Sequence, residues 1–385
     1  MASRDYPTDN ADEPQDGPKF SRPREHGVTN PTAVPLLQRL LTLTRFTLSA
    51  LTLLYCVALL AILYGLEYNA ESHPFLSTGM YLPPWGWLCP LALLAPPSLI
   101  FYARLLLPQV LCIPVVVFGF MDVRWHGPHD TTGVKIKVVT NNIGQAKDLG
   151  FKPFAVQQDA DIIALQDAWS RYGPQFAEAF PGRYIVVKDQ FTLISKFPIR
   201  AADAFPWPDP LDPRQRVAAW FEVEVKGQPL LVFVVHMPTP RDQINAMKGL
   251  GAFSALLGRE GGHGDTVRDE NTKFFKNQLN LAQKIVGAAR TAKVPFIVCG
   301  DFNVPTHGKA YRLYRDNWVE AFNERGHGVG ATFPGGAKIP AWLRLDNIYC
   351  SKLGLRPLRA EVEGNRSGQH LCMAATFELL DNKRK

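Results

Sequence analysis

In the last two-thirds of the chain, short apolar runs repeatedly end in small polar side chains. VKIKVVT leads into Asn141-Asn142, DIIAL into Gln166-Asp167, and PLLVFVVH closes on His236. PFIVC runs into Gly300-Asp301-Phe302-Asn303, LDNIY carries Asp346, and LCMAATFEL starts just after Gln369-His370. One such residue is ordinarily a cap or turn former. Six such strand ends, all bearing Asn, Asp, Gln or His, exceed what turns require. These residue types ligate cations or exchange protons. Strand ends on one side of a sheet converge, so the groups are expected to line a single cleft.

The runs themselves read as strands at 134–140, 161–165, 191–195, 217–225, 229–236, 295–299, 345–349 and 371–379. Between them, 272–290 places Phe275, Leu279, Ala282, Val286 and Ala289 on one helical face. Strands alternating with helices predict a layered α/β domain, with sheets packed together and helices outside. Single His residues in Gly-rich loops (His263, His307, His327) read as solvated, with His307, which closely follows GDFNVP, having the alternative of reaching the cleft, and REGGHGD (259–265) matches no phosphate-binding loop and reads as an insertion at the cleft rim. Arg216 and Arg241 read as exposed cations.

The front of the chain is different. With 385 residues there is room for two or three structural units and a large core. The mean hydropathy of −0.08 is that of a soluble protein, yet the apolar residues concentrate near the N-terminus. Residues 1–35, rich in Pro, Asp, Asn and Gly, read as a disordered tail. Residues 46–66 carry no charge over a length that spans a bilayer. The apolar block 85–121, broken by Pro96, Pro97 and Arg104, divides into spans 85–103 and 105–121, with Trp85, Trp87 and Tyr102 at the interfaces. Arg22, Arg24, Arg39 and Arg45 precede the first span, whereas 67–84 holds Glu67 and Glu71 and no Lys or Arg. The positive-inside rule then puts the N-terminus in the cytoplasm and everything after Met121 outside, joined through a linker at 122–133. A single crossing by 85–121 would reverse that. Six cysteines are too few for a disulfide framework and match no metal spacing, so free thiols are expected. The net charge of +7 resides beyond position 121 and favours an anionic partner, but no dense basic run or strand-tracking aromatics support nucleic acid.

The words VVTNNIG, DADIIALQDAW, LISKFPI, VVHMPTP, VPFIVCGDFNVP, LRLDNIYCS and SGQHLCM, in this order over 134–379, resemble the endonuclease/exonuclease/phosphatase superfamily, the DNase I-like fold. The apolar spans, with GHGVGATFP and IPAWLRLDNI, resemble its membrane-anchored, VanJ-type bacterial subgroup. The resemblance implies a four-layered α/β sandwich, two packed mixed sheets with outer helices, at 134–380, preceded by a helical transmembrane region at 36–121.

It also implies roles. Asn142 and Asp167 match the metal-binding Asn and Glu of the family, and the set suits Mg²⁺, with Mn²⁺ an alternative. Asp301 and Asn303 match residues that orient the attacking water and hydrogen-bond the phosphoryl group. His370, paired with Asp346, matches the His at the scissile phosphate, and His236 a second His near the leaving group. Two positions depart from the pattern. Asp167 stands where relatives have Glu, and Gly368-Gln369-His370 where they have Ser-Asp-His, so Gln369 offers a neutral oxygen at the metal in place of a carboxylate. The expected activity is Mg²⁺-dependent hydrolysis of a phosphoester or pyrophosphate at the outer face of the plasma (inner) membrane. A tethered cleft makes lipid-linked phosphate the natural substrate. A nuclease and a non-catalytic, membrane-anchored binder of phosphate ligands are the alternatives.

Overall fold

A helix of 37 residues, Ala33–Asn69, opens the part of the chain that can be described. It runs farther at both ends than the span expected at 46–66 because no Gly or Pro lies between Pro35 and Gly65 to break it. The structure is a computed structural model and describes residues 33–144, 149–249, 251, 254–255, 262–336, 340–364, 366 and 369–380. The tail expected at 1–35 therefore lies outside the described residues up to position 32, as do residues 259–261 of the Gly-rich insertion and Gly368. The chain divides into two units at Thr47/Leu48, and the described part of the first is the start of this helix.

The second unit holds the rest. Stretches at Pro35–Ser72, Pro84–Phe101 and Ala103–Phe120 are long and apolar enough to cross a membrane. Leu51, Leu54, Val57 and Leu60 on the first, Leu93 and Ile100 on the second, and Leu107 and Leu111 on the third expose large apolar surface. Three of their polar side chains turn inward: Gln109 Nε2 donates to Thr52 Oγ1 at 3.0 Å and to Ser98 Oγ at 2.9 Å, joining all three stretches through one buried cluster. In hydrocarbon such groups must find partners within the protein.

Two six-stranded sheets follow. The first has the order β13 (Leu355–Val362), β14 (Met373–Leu379), β2 (Val134–Asn142), β3 (Ile162–Gln166), β5 (Phe191–Ser195), β4 (Tyr184–Lys188). The second runs β10 (Val319–Glu320), β12 (Asp346–Cys350), β9 (Phe296–Asp301), β8 (Gln228–His236), β7 (Ala218–Val225), β6 (Ile199–Ala204). A short pair, β1 (Arg124–Trp125) and β11 (His327–Gly328), stands apart and lies partly within the segment expected as a linker. Among the described residues, β2/β3 and β8/β9 pair parallel and the other pairs are antiparallel.

Alternation along the strands sets the layers. In β8, Leu230, Val232 and Val234 point between the sheets, where they meet Ile136, Val138, Ile162 and Leu193 of the other sheet. Phe233 and Val235 point the opposite way, against Ala282, Ile285 and Ala289 of the helix His263–Arg290 and Tyr311 and Tyr314 of the helix Gly308–Asn317. The outer face of the first sheet is covered through Phe154 and Phe176 of the short helices Lys152–Gln157 and Gly173–Ala179. Both faces of the central strands are therefore buried, which is why they read as unbroken apolar runs. The result is a four-layered α/β sandwich. Strands β4, β6 and β13, absent from the sequence reading, are sheet edges: one side is open, and β13 carries Pro357 beside a register shift. Edge strands need no continuous apolar run. All six cysteines are free.

Candidate active site

Topology brings the polar strand ends to one edge. Parallel strands β8 and β9 end level with each other, His236 paired with Asp301, and antiparallel β12 begins at Asp346 opposite the same Asp301. Across the sandwich, parallel β2 and β3 end at Asn142 and Gln166, and antiparallel β14 begins shortly after His370. Close pairing of β8 with β9 requires Gly300: at its φ of +138° a Cβ would lie 2.0 Å from the Val235 carbonyl oxygen. The strand ends surround a cleft of about 500 Å³. Asn142, Asp167, His236, Asp301, Asn303, Gln369 and His370 all line it, and Asp346 sits fully buried behind His370.

Asp301 is the hub. Its Oδ2 accepts from Asn142 Nδ2 at 2.9 Å and from Asn303 Nδ2 at 3.2 Å, and its Oδ1 accepts from the Asn303 backbone N–H at 2.9 Å. The His370 and His236 Nε2 atoms face Oδ2 at 3.6 and 3.7 Å. Burial raises the Asp301 pKa, partly offset by the two nearby imidazoles. His370 Nδ1 donates to Asp346 Oδ2 at 2.8 Å. Burial by itself would lower the His370 pKa, but the Asp346 and Asp301 carboxylates outweigh it and push it up to about 9. Phe333 packs on the imidazole with ring centroids 4.9 Å apart. His236 Nδ1 pairs with Gln190 Oε1 at 2.6 Å, and its Nε2 faces Asn142 Nδ2 at 3.3 Å; a proton on Nδ1 and a lone pair on Nε2 satisfy both.

Two site residues are held in the left-handed backbone region, Asp167 at φ +54° and Asn303 at φ +47°. Such conformations cost on the order of 1–3 kcal/mol each and persist where surrounding structure over-determines them. Asn303 shows how: its Nδ2 also donates to the Met237 carbonyl at 2.8 Å, and its own carbonyl accepts two donors described below.

The residues present fit a divalent cation. Asp167, Asn142 and Gln369 offer oxygen donors only, the set that hard Mg²⁺-type ions take. Asn142 Oδ1 faces Gly144, whose backbone N–H it accepts at 2.9 Å. A Cβ on Gly144, at φ +55°, would stand 3.4 Å from Gln369 Oε1, which places Gln369 beside the same turn that Asn142 Oδ1 caps. A second group, Asp301, Asp346 and His370, brings ligand atoms within 4.8 Å of one another. There the His370 imidazolium, hydrogen-bonded to Asp346, offsets only one of the two carboxylate charges, and a cation binding through Nδ1 would have to displace its proton.

The sequence pattern alone does not single out Gln190 or Phe333. Gln190 has a signal, since it directly precedes β5, which runs antiparallel to β3, and the start of such a strand lies at the same edge as its neighbour's end. Phe333 lies in the ATFP word, whose spacing says nothing of the imidazole beneath it. His307 corrects the reading of a solvated loop histidine. It is only 5% exposed, its Nδ1 pairs with Glu67 Oε1 at 2.8 Å, and its Nε2 donates to the Phe120 carbonyl at 3.1 Å. Both partners come from the apolar helical region, more than 180 residues away, beyond the reach of local pattern.

The sequence pattern of the endonuclease/exonuclease/phosphatase family matches residues 142–368, more than half of the chain, and the chain belongs to that family. Enzymes of the family hydrolyse phosphoester bonds and depend on divalent metal ions. Among similar solved structures is a family member from Bacteroides thetaiotaomicron, 14% identical, covering 66% of this chain and 98% of its own, with a TM-score of 0.47. A mannosyl-6-phosphatase of the same organism is 17% identical over 64% of this chain and 100% of its own, with a TM-score of 0.45. The human Nocturnin catalytic domain, solved with bound sulfate, is 16% identical over 65% of this chain and 97% of its own, with a TM-score of 0.43. No curated protein matches the chain.

Proposed function

We propose that the chain is a membrane-anchored, divalent-metal-dependent phosphohydrolase acting on a phosphoester or pyrophosphate borne by a lipid, with its cleft at the outer membrane surface. One observation carries this reading: Tyr81, from the loop joining the first two apolar stretches, lines the same cleft as His236, Asp301 and His370. A cleft walled in part by an interhelical loop opens beside the membrane surface, where a lipid-borne phosphate is concentrated. The same loop contacts the catalytic domain at several points, which supports a topology in which 85–121 crosses twice and returns the chain to the loop's side. The Arg residues before the first span and their absence from 67–84 support the outside as that side. Polyprenyl pyrophosphates and phospholipid head groups are the substrates that suit such a position.

Asn142, Asp167 and Gln369 would hold the Mg²⁺ or Mn²⁺ ion, which would supply charge neutralisation for the phosphoryl oxygens. Asp301, accepting from two carboxamides, is placed to orient a water for attack, and Asn303, whose Nδ2 hydrogens go to Asp301 and the Met237 carbonyl, holds that carboxylate in place. His370, charged and held by Asp346, stands ready to donate to the scissile phosphate or, after losing its proton, to act as base. His236, with its ring fixed by Gln190, faces the leaving group.

The test is a substrate panel, isoprenoid pyrophosphate, phospholipid and single-stranded DNA, assayed on the full chain in detergent with Mg²⁺ and with EDTA. Lipid substrates turned over with Mg²⁺ and not with EDTA are expected. Preferential cleavage of DNA would replace the reading with a nuclease, and tight binding without turnover would replace it with a binding protein.

A further inference from the structure

The anchor does more than hold the domain near its substrate. Tyr81 Oη donates at 2.8 Å to the backbone carbonyl of Asn303, across 222 residues of sequence. Gln278 Nε2, from the helix His263–Arg290, donates to the same carbonyl at 3.1 Å and to the Pro238 carbonyl at 3.2 Å. The tyrosine is itself fixed on two sides: Trp342 Nε1 donates to its carbonyl at 3.2 Å, and its ring lies against Phe275 with centroids 6.1 Å apart. It is 8% exposed, and burial followed by the nearby Glu71 and Asp301 charges raises its pKa well above the usual value, so it remains a donor.

We infer that Tyr81 is a positioning residue of the active site, locking Asn303 in its left-handed conformation and thereby fixing the 301–304 turn relative to the cleft. Without the hydroxyl, a buried carbonyl keeps only Gln278, and the φ of +47° at Asn303 loses one of the contacts that over-determine it. The inference rests on the phosphohydrolase reading for its kinetic consequence and on geometry alone for its structural one.

Two variants of the full chain separate positioning from general stability. Tyr81→Phe removes the hydroxyl and keeps the ring. Ser77→Ala removes a different buried bond between the same loop and the domain, Ser77 Oγ to Asn271 Oδ1 at 2.7 Å, which does not touch the cleft. Hydrogen exchange of the peptide covering 300–306 and the kcat and KM for the best substrate of the panel are measured for both. Tyr81→Phe should speed exchange of that peptide and lower kcat about 10- to 100-fold with KM little changed, the scale of a small misplacement of a reacting group. Ser77→Ala should leave both as in wild type. Unchanged exchange in Tyr81→Phe, or equal changes in the two variants, overturns the inference. If Tyr81→Phe does not fold, Trp342→Phe, which frees the Tyr81 backbone, must speed exchange of the same peptide or the inference fails. A wild type silent on every substrate, combined with faster exchange in Tyr81→Phe alone, would discard the phosphohydrolase reading and leave the positioning role standing.

Discussion

In the proposed site, Asp167 is the one carboxylate among the three oxygen donors, and it stands on a backbone at φ +54°. Removing it leaves Asn142 and Gln369, two neutral carboxamides, to hold a divalent ion. Asp167→Ala should therefore lower Mg²⁺-dependent turnover by at least about 100-fold, the scale on which one transition-state charge partner acts. Gln369→Asp is the opposite perturbation. It adds a negative charge beside Gly144 and Asn142, so half-saturation should move to lower Mg²⁺ in a titration of rate against metal. A Gln369→Asp curve that overlays wild type would place Gln369 away from the metal.

The elements that carry these residues are held by a buried charge cluster at the junction between the third apolar stretch and the domain. Arg344, just ahead of β12, pairs with Asp122, which follows the apolar stretch at φ +49°, and with Glu320 of β10 at 3.3 Å. Its guanidinium also lies 4.7 Å from the centre of the Phe322 ring. Burial raises the Glu320 pKa, and Arg344 opposes that rise. Arg344→Met keeps the volume but leaves buried carboxylates without their cation, a loss of about 3–5 kcal/mol. It should appear as a lower Tm in detergent, and an unchanged Tm would show that the cluster contributes nothing net.

How far these elements were legible depends on where their partners lie. The central strands announce themselves because both faces are buried, and the strand-end residues Asn142, Asp167, His236, Asp301, Asp346 and His370 because a polar group closing an apolar run is visible locally. Edge strands β4, β6 and β13 lack that pattern. Gln190, Phe333, His307 and Tyr81 take their importance from contacts 37 to 240 residues distant, and no window along the chain contains both partners.

At the scale of the whole molecule, the proposed arrangement of three spans predicts a definite orientation. An alkaline phosphatase reporter fused after Asp122 should be active, since that enzyme requires the oxidising exterior, and one fused after Arg104 should be inactive. Activity of the reverse pattern would put the cleft in the cytoplasm and remove the envelope-lipid substrate.

The position of β14 has a consequence for how the protein comes into being. This last strand lies inside its sheet, between β13 and β2, and His370 stands just before it. During synthesis β2 waits for a neighbour made more than 200 residues later, a delay of order 10–40 s at ordinary elongation rates. The three apolar stretches are complete long before then, so under the anchored reading proposed above the nascent domain is tethered while two of the six strands of its first sheet are still missing. A chain that stops before β14 is made has neither His370 nor the strand that seats it beside β2, and so cannot assemble the cleft.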